Sequence, residues 1–384
     1  MNKPLLIVLA ILMSASAAQA CIWDRDTLAM ERARFPEVNE LIVGYFPRHS
    51  PPYYQWRIEQ VQAIPLAERR ASDYDDLAVS FDKLGQHERA IETMLAKAER
   101  FPVENIYETH ANLGTFYIHN GDLEQGAQHI ENAIEINPDA HFGREVYQQL
   151  LVAYIIQQQA KGNTLPLSNR DAHGYQREDG FAAYVLKQQG VSGTSWREEL
   201  AEVERALKGV QGMMRFGHYD SPVLLEVLGD LLLRTGSIEG AQRLAARAYL
   251  KASMEVSDPE AAQTYRKKAQ FALSEQQGVT FEEIEAKLQE EIAEGDAYFA
   301  KIESDTKAWI LAGKDVDVEF SAVYYDSPTI VTSKADRRPI KSPSDQIFQF
   351  AMIFMGLLII AVAALLYALI FFLKRRKARA RRAS

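Results

Sequence analysis

The apolar positions of this chain recur with the period of a helix along most of its length. Three windows share one pattern: a leucine followed by a small residue, a glycine eight positions after the leucine, and a further small residue thirteen positions after it. They are Leu77-Ala78, Gly85 and Ala90; Leu113-Gly114, Gly121 and Gly126; and Leu228-Gly229, Gly236 and Ala241. Pro102 and Pro138 lie 25 residues after the leucines of the first two windows. The spacing predicts helix hairpins. A small residue lets two helix backbones approach, and the middle glycine leaves the first helix through a left-handed conformation. Proline then stops the return helix. Phe81, Ile91 and Met94 complete the inward stripe of the first window, and Tyr117, Ile130 and Ala133 that of the second.

Cap signals extend the helical pattern. Asn105 with Glu108, Ser195 with Glu198, and Thr280 with Glu283 have capping-box spacing. Ser221-Pro222 and Asp258-Pro259 place a capping side chain before a proline at the first helical position. A third hairpin is expected to begin near Phe142 and run through Tyr154. Residues 161–180 are polar, with three glycines and no period, and read as a loop joining two helical arrays. Residues 181–189 and 196–215 are expected to form a degenerate hairpin, and 259–276 another helix. Phe281, Ile284, Leu288, Ile292, Phe299, Ile302 and Trp309 trace one amphipathic helix of about 30 residues that caps the array. Val316 to Tyr325 alternates loosely, as a short strand or an extended stalk.

The recurring pattern resembles the tetratricopeptide repeat. His110, Leu113-Gly114, Tyr117, Gly126, Ile130 and Pro138 match the order of that motif, and Tyr74 holds the leading aromatic position of the first window. His110 and Leu225 replace that aromatic in the other windows, and Gly126 replaces the usual alanine. The matching stretches are residues 71–139 and 222–253, about a quarter of the chain. The resemblance implies an all-α, TPR-like α-solenoid that serves as a scaffold for protein or peptide partners.

Two apolar segments bear on location. Leu5 to Met13 follows Lys3 and precedes Ala18-Gln19-Ala20, the pattern of a signal peptide cleaved before Cys21. Acylation of Cys21 is the competing outcome, but Ala18 and Gln19 depart from a lipid-attachment site. Residues 350–373 carry no charge and are long enough to cross a bilayer as a helix. Seven basic residues follow directly, from Lys374 to Arg382, which places the C-terminus in the cytoplasm. The expected protein is single-pass, with an extracytoplasmic bulk (periplasmic in a bacterium) and a lipid bilayer around its C-terminal helix. Setting aside those seven charges and Lys3 takes the formal charge from −9 to −17. So acidic a body excludes nucleic acid as a partner, because binding it needs basic side chains to displace counterions.

The expected organisation is a signal peptide (1–20), an aromatic and Pro-rich N-terminal cap segment (21–70), a first repeat array (71–160), a connecting loop and degenerate helix (161–194), a second array with the long capping helix (195–312), a stalk (313–346), the transmembrane helix (347–373) and a basic tail (374–384). No P-loop, G-x-S-x-G, H-E-x-x-H, dinucleotide glycine fingerprint or CxxC pair occurs, and the single cysteine excludes an intrachain disulfide. No catalysis, cofactor or metal is therefore expected.

Binding is assigned to the concave face, which in stacked hairpins is lined by first-helix residues. Repeat register puts Asp75, Val79, Asp82 and Lys83 there, then Ala111, Thr115, Ile118 and His119, and from the other array Val223, Glu226, Asp230, Leu233 and Arg234. The acidic residues argue against capture of a C-terminal carboxylate, the ligand of some grooves in the resembling family. His110 and His119, nine apart, lack an identifiable third ligand and read as packing or surface histidines. The alternative is a cell-envelope enzyme or metal-dependent protein. Its site would lie in Cys21-Ile22-Trp23-Asp24-Arg25-Asp26, whose carboxylates fall short of a calcium site, or in the 161–180 loop. In the simpler view, Trp23 anchors that segment on the helices and Asp26 caps a short helix from Thr27 to Arg34. Tyr45 to Trp56, rich in aromatics and proline, packs as an N-terminal cap.

Overall fold

Among the described residues, glycines, prolines and short polar caps mark off fourteen α-helices, with no strand. The computed structural model describes residues 23–25, 30, 35–138, 140–168, 180–235, 240–274 and 278–325. In chain order the helices are α1 (Val38–Val43), α2 (Pro51–Ala63), α3 (Ala71–Lys83), α4 (His87–Arg100), α5 (Ile106–His119), α6 (Leu123–Ile136) and α7 (Arg144–Ala160). There follow α8 (Phe181–Gln188), α9 (Trp196–Phe216), α10 (Pro222–Arg234), α11 (Ala241–Glu255), α12 (Pro259–Ala272), α13 (Phe281–Leu311) and α14 (Val316–Phe320). Apart from Gly240, all of these residues belong to one compact unit. A second unit, residues 237–240 and 338–384, otherwise falls outside them.

The first two hairpins turn where the glycine spacing puts them, and the third expected turn, at Gly236, lies outside the described residues. Gly85 and Gly121 take φ of 73° and 89°, where a side chain would be strained, and they turn α3 into α4 and α5 into α6. A Cβ on Gly114 would come within 2.5 Å of the Ile130 side chain, and one on Gly229 within 2.6 Å of the Tyr249 ring. The small residues thus mark where paired helices cross. Ser195, Ser221, Asp258 and Thr280 cap their helices as expected, two of them in full capping boxes. Asn105 does not. It adopts a left-handed backbone at φ 50°, which turns its side chain away from the first helical turn, and its carbonyl receives Thr109 and Lys97 instead.

One core runs through the first hairpins: Ile58 of α2, Leu77 and Phe81 of α3, Ile91 and Met94 of α4, and Leu113 and Phe116 of α5. Full burial of each such side chain contributes roughly 1.5–3 kcal/mol. The two arrays are continuous. α7 packs directly on α9, where Gly209 and Gly212 leave room for Tyr147 and Arg144. α8 bridges α9 and α10, and α11 lies between α10 and α12.

The long helix α13 packs on α1, α2 and α11, so the end of the helical series returns to its beginning. Gly295 permits the crossing, because a Cβ there would overlap the Val43 carbonyl oxygen. Tyr45 stacks on Tyr298 with centroids 4.4 Å apart and planes 5° from parallel. Both expected caps exist, and they cap each other.

Residues 316–325 are neither strand nor stalk. Val316, Phe320 and Tyr324 recur every fourth residue, so they share one helical face, and they are buried beside Ile302 of α13. Asp315 caps α14 and Asp317 accepts the Tyr53 hydroxyl at 2.7 Å. No helix among the described residues is long and apolar enough to cross a membrane. The expected signal peptide, Cys21, the 27–34 helix cap, the rest of the stalk, the 347–373 span and the basic tail lie outside the described residues.

Candidate functional site

The first-helix residues expected to line an open groove face the interior. All of them except Lys83, Leu233 and Arg234 are buried. Asp75 holds Lys97 Nζ at 2.7 and 2.8 Å and accepts Asn112 Nδ2 at 3.1 Å. Ala111 packs with Tyr107 and Ala133, Ile118 fills the space above Gly126, and Thr115 accepts Gln148 Nε2 at 3.3 Å. Val79 and Val223 are core residues, and Arg234 pairs with Glu199 at 2.5 Å. Glu226 receives Lys268 Nζ at 2.5 Å, and Asp230 receives the Tyr249 hydroxyl at 2.7 Å. Their charges serve internal pairs. They do not form an acidic trough.

The physical reason is that segments of the same chain lie against these faces. Trp23 donates its backbone N–H to Asn112 Oδ1 at 2.8 Å, and its carbonyl accepts Asn112 Nδ2 at 2.9 Å. Asp76 accepts the Arg25 backbone N–H at 3.1 Å. Asp24 is buried against Arg57 at 2.7 Å, and Arg57 also reaches Asp76 at 2.8 Å. Trp23 therefore does anchor the N-terminal segment. In the other half, Glu226 accepts the backbone N–H groups of Leu167 and Ser168 at 2.8 and 3.1 Å, and Asp230 accepts that of Phe181 at 3.1 Å.

Among the described residues, an accessible cavity of about 380 Å³ lies between residues 46–54, the end of α3, the α9–α10 junction and α13. Arg48, Lys83 and Arg215 line it with Tyr54, His218, Tyr219 and Phe299, and so do the carboxylates of Asp24, Asp220 and Asp296. Arg48 donates to Gly44 O at 2.5 Å and to the Tyr219 hydroxyl at 3.2 Å, and its guanidinium lies 4.0 Å from the Phe299 ring centroid. Lys83 Nζ donates to the carbonyls of Phe216 and Gly217 at 2.6 and 3.0 Å. Among the described residues, neither cation is ion-paired with a carboxylate. Burial pushes both below their ordinary pKa values, partly offset at Arg48 by Tyr219, Asp220 and Asp296 and at Lys83 by Asp82, Asp24 and Asp220. Burial also pushes His218 down to about 3, with the Lys83 charge adding to the effect.

Behind this wall, three residues from two hairpins converge. Asp82 Oδ1 lies 2.7 Å from His119 Nδ1 and 2.8 Å from His87 Nδ1. Burial works against the Asp82 charge, yet contact with His119 and His87 holds the carboxyl well below its usual range. The same contact raises His87. The His218 ring meets that of His119 edge-on at 5.9 Å, linking the cluster to the pocket wall. His110, expected as a packing or surface histidine, pairs with His129 through Nδ1 atoms 2.9 Å apart.

The sequence expectations included Asp82, Lys83 and His119 but missed Arg48, His87 and His218. His87 follows Asp82 across the tight Gly85 turn, so the D-x4-H spacing was its available signal. No protein-family model matches the chain, and no curated protein matches it.

Proposed function

We propose that the chain is a membrane-anchored, extracytoplasmic helical scaffold of TPR-like design that binds an acidic peptide segment of a partner protein without catalysing a reaction. The observation that carries this reading is the cavity lined by Arg48 and Lys83, two cations whose described contacts are carbonyls, a hydroxyl and aromatic rings. A partly desolvated cation with no carboxylate in direct ion-pair contact gains from an incoming one, even with Asp220 and Asp296 in the same lining. Tyr54, Tyr219 and Phe299 supply the flat apolar surface that seats the rest of a peptide side chain. Three hairpin windows, two of them with a glycine at the helix crossing, support the repeat assignment. The uncharged 350–373 segment with its basic flank supports the anchor and its orientation, and Ala18-Gln19-Ala20 supports export. The pocket takes over the binding role first given to the inner first-helix faces.

The test is binding of acidic and charge-neutral peptides to the full-length chain in detergent. Acidic peptides should bind, and Lys83→Met or Arg48→Met should each weaken them about 30-fold, the effect of roughly 2 kcal/mol. Circular dichroism would establish that the variants remain helical. Equal binding of neutral peptides, or unchanged binding to both variants, would remove the pocket from consideration.

A further inference from the structure

We propose that Asp82, His87 and His119 form a binding site for a divalent transition-metal ion of the Zn2+ type. Two imidazoles and one carboxylate are a donor set suited to such an ion, with water in the remaining position. The three come from three places, the end of α3, the start of α4 and the end of α5, and a single hairpin turn plus the next repeat brings them together. One ligand atom from each lies within 4.8 Å of the others. Both Nδ1 atoms already converge on the same carboxylate oxygen, at 2.7 and 2.8 Å. Tetrahedral coordination at about 2.0–2.1 Å per bond asks these separations to widen by only about 0.5 Å.

A second observation separates this cluster from an ordinary buried ion pair. Asp82 is 1% exposed and His119 7%, yet Asp82 Oδ2 and His119 Nε2 have no hydrogen-bond partner among the described residues. Buried polar atoms normally find partners, so Asp82 Oδ2 is ligand capacity that the protein itself does not use, while His119 Nε2 would carry the ring proton when Nδ1 binds. The nearest competing cation is turned away, because the Lys83 ammonium is directed to the Phe216 and Gly217 carbonyls. His87 is half-buried and offers the route by which an ion enters. On coordination through Nδ1, a neutral ring keeps its proton on Nε2, whereas a protonated His87 releases one proton to solvent. The site stands on its own geometry, independent of what the pocket binds.

The test uses the untagged full-length chain in detergent, stripped with a chelator, with Co2+ and Zn2+ alone as probes. One equivalent of Co2+ should give a visible absorption band that Zn2+ abolishes, and Zn2+ should raise the thermal midpoint. His87→Gln should weaken Zn2+ binding by at least about 100-fold, since loss of an outer-shell partner alone costs roughly 10–100-fold. That variant removes a half-buried side chain and keeps the test valid even where His119→Gln fails to fold. His110→Gln, in the separate histidine pair, should leave binding intact. Absence of the Co2+ band, or equal Zn2+ affinity in His87→Gln, would overturn the proposal.

Discussion

Asn112 holds the main chain of Trp23 from both sides, accepting its N–H at 2.8 Å and donating to its carbonyl at 2.9 Å. This pairing ties the start of the described chain to the middle of α5. Asn112→Ala should lower stability by about 3 kcal/mol, from three lost hydrogen bonds, two to Trp23 and one to Asp75. Asn112→Asp should cost more, because it sets a second carboxylate against Asp75, which the Asn112 amide now reaches at 3.1 Å. Thermal midpoints and Trp fluorescence would check the order; a milder effect from Asp than from Ala would contradict it.

Gly295 and Gly114 predict unequal responses to the same methyl group. Both lie inside helices, so alanine brings each about 1 kcal/mol of helix propensity. At Gly114 the new Cβ meets chiefly the Ile130 side chain, at 2.5 and 2.7 Å, with the Ile130 backbone N at 3.0 Å. At Gly295 it meets the Val43 carbonyl, and backbone yields only if α13 moves. Gly295→Ala should therefore be the more destabilising by about 1–3 kcal/mol, measured by denaturant unfolding.

Stability should fall as pH drops from the ordinary histidine value toward about 4. Burial holds His129 down to about 4, with the neighbouring His110 adding, and burial also lowers His110. In that window the unfolded chain takes up protons that the folded chain refuses, so unfolding gains. Tyr117, stacked on His129 at 5.4 Å, contributes no compensating charge. His129→Gln should flatten this part of a stability–pH curve recorded by thermal melts.

Glu226 sits among Lys268, Ser168, the Leu167 N–H and the Tyr265 hydroxyl. Glu226→Leu would strip Lys268 of its nearest counter-ion, leaving Asp230 at 3.5 Å, and should cost about 3–5 kcal/mol. Hydrogen exchange at Leu167 and Ser168 should rise with it. Reversal of Asp75, Glu226 and Asp230 to lysine, a natural probe for an open acidic groove, would instead break the core.

Helix positions and turns were legible because their causes are local. Gly85 and Gly121 needed only their own backbone freedom, and Ser195 and Thr280 only a partner three residues away. The groove was misassigned for a non-local reason. Nothing in the periodicity of α3 or α5 states that Trp23 will cover them, or that α13 will cross Val43. Repeat register put Asp82 and His119 on an open groove face, whereas both are buried. It offered no means of seeing that His87, on a separate helix, completes their cluster.

The contact between α13 and α1 has a consequence for how the protein comes into being. A ribosome delivers Val43 some 250 residues before Gly295. Domains fold as units during synthesis, from the N-terminal side onward. Here the earliest-made helices stay without their final neighbour until translation of the folded unit is nearly finished, so the newborn chain must keep its aromatic leading edge soluble while it waits.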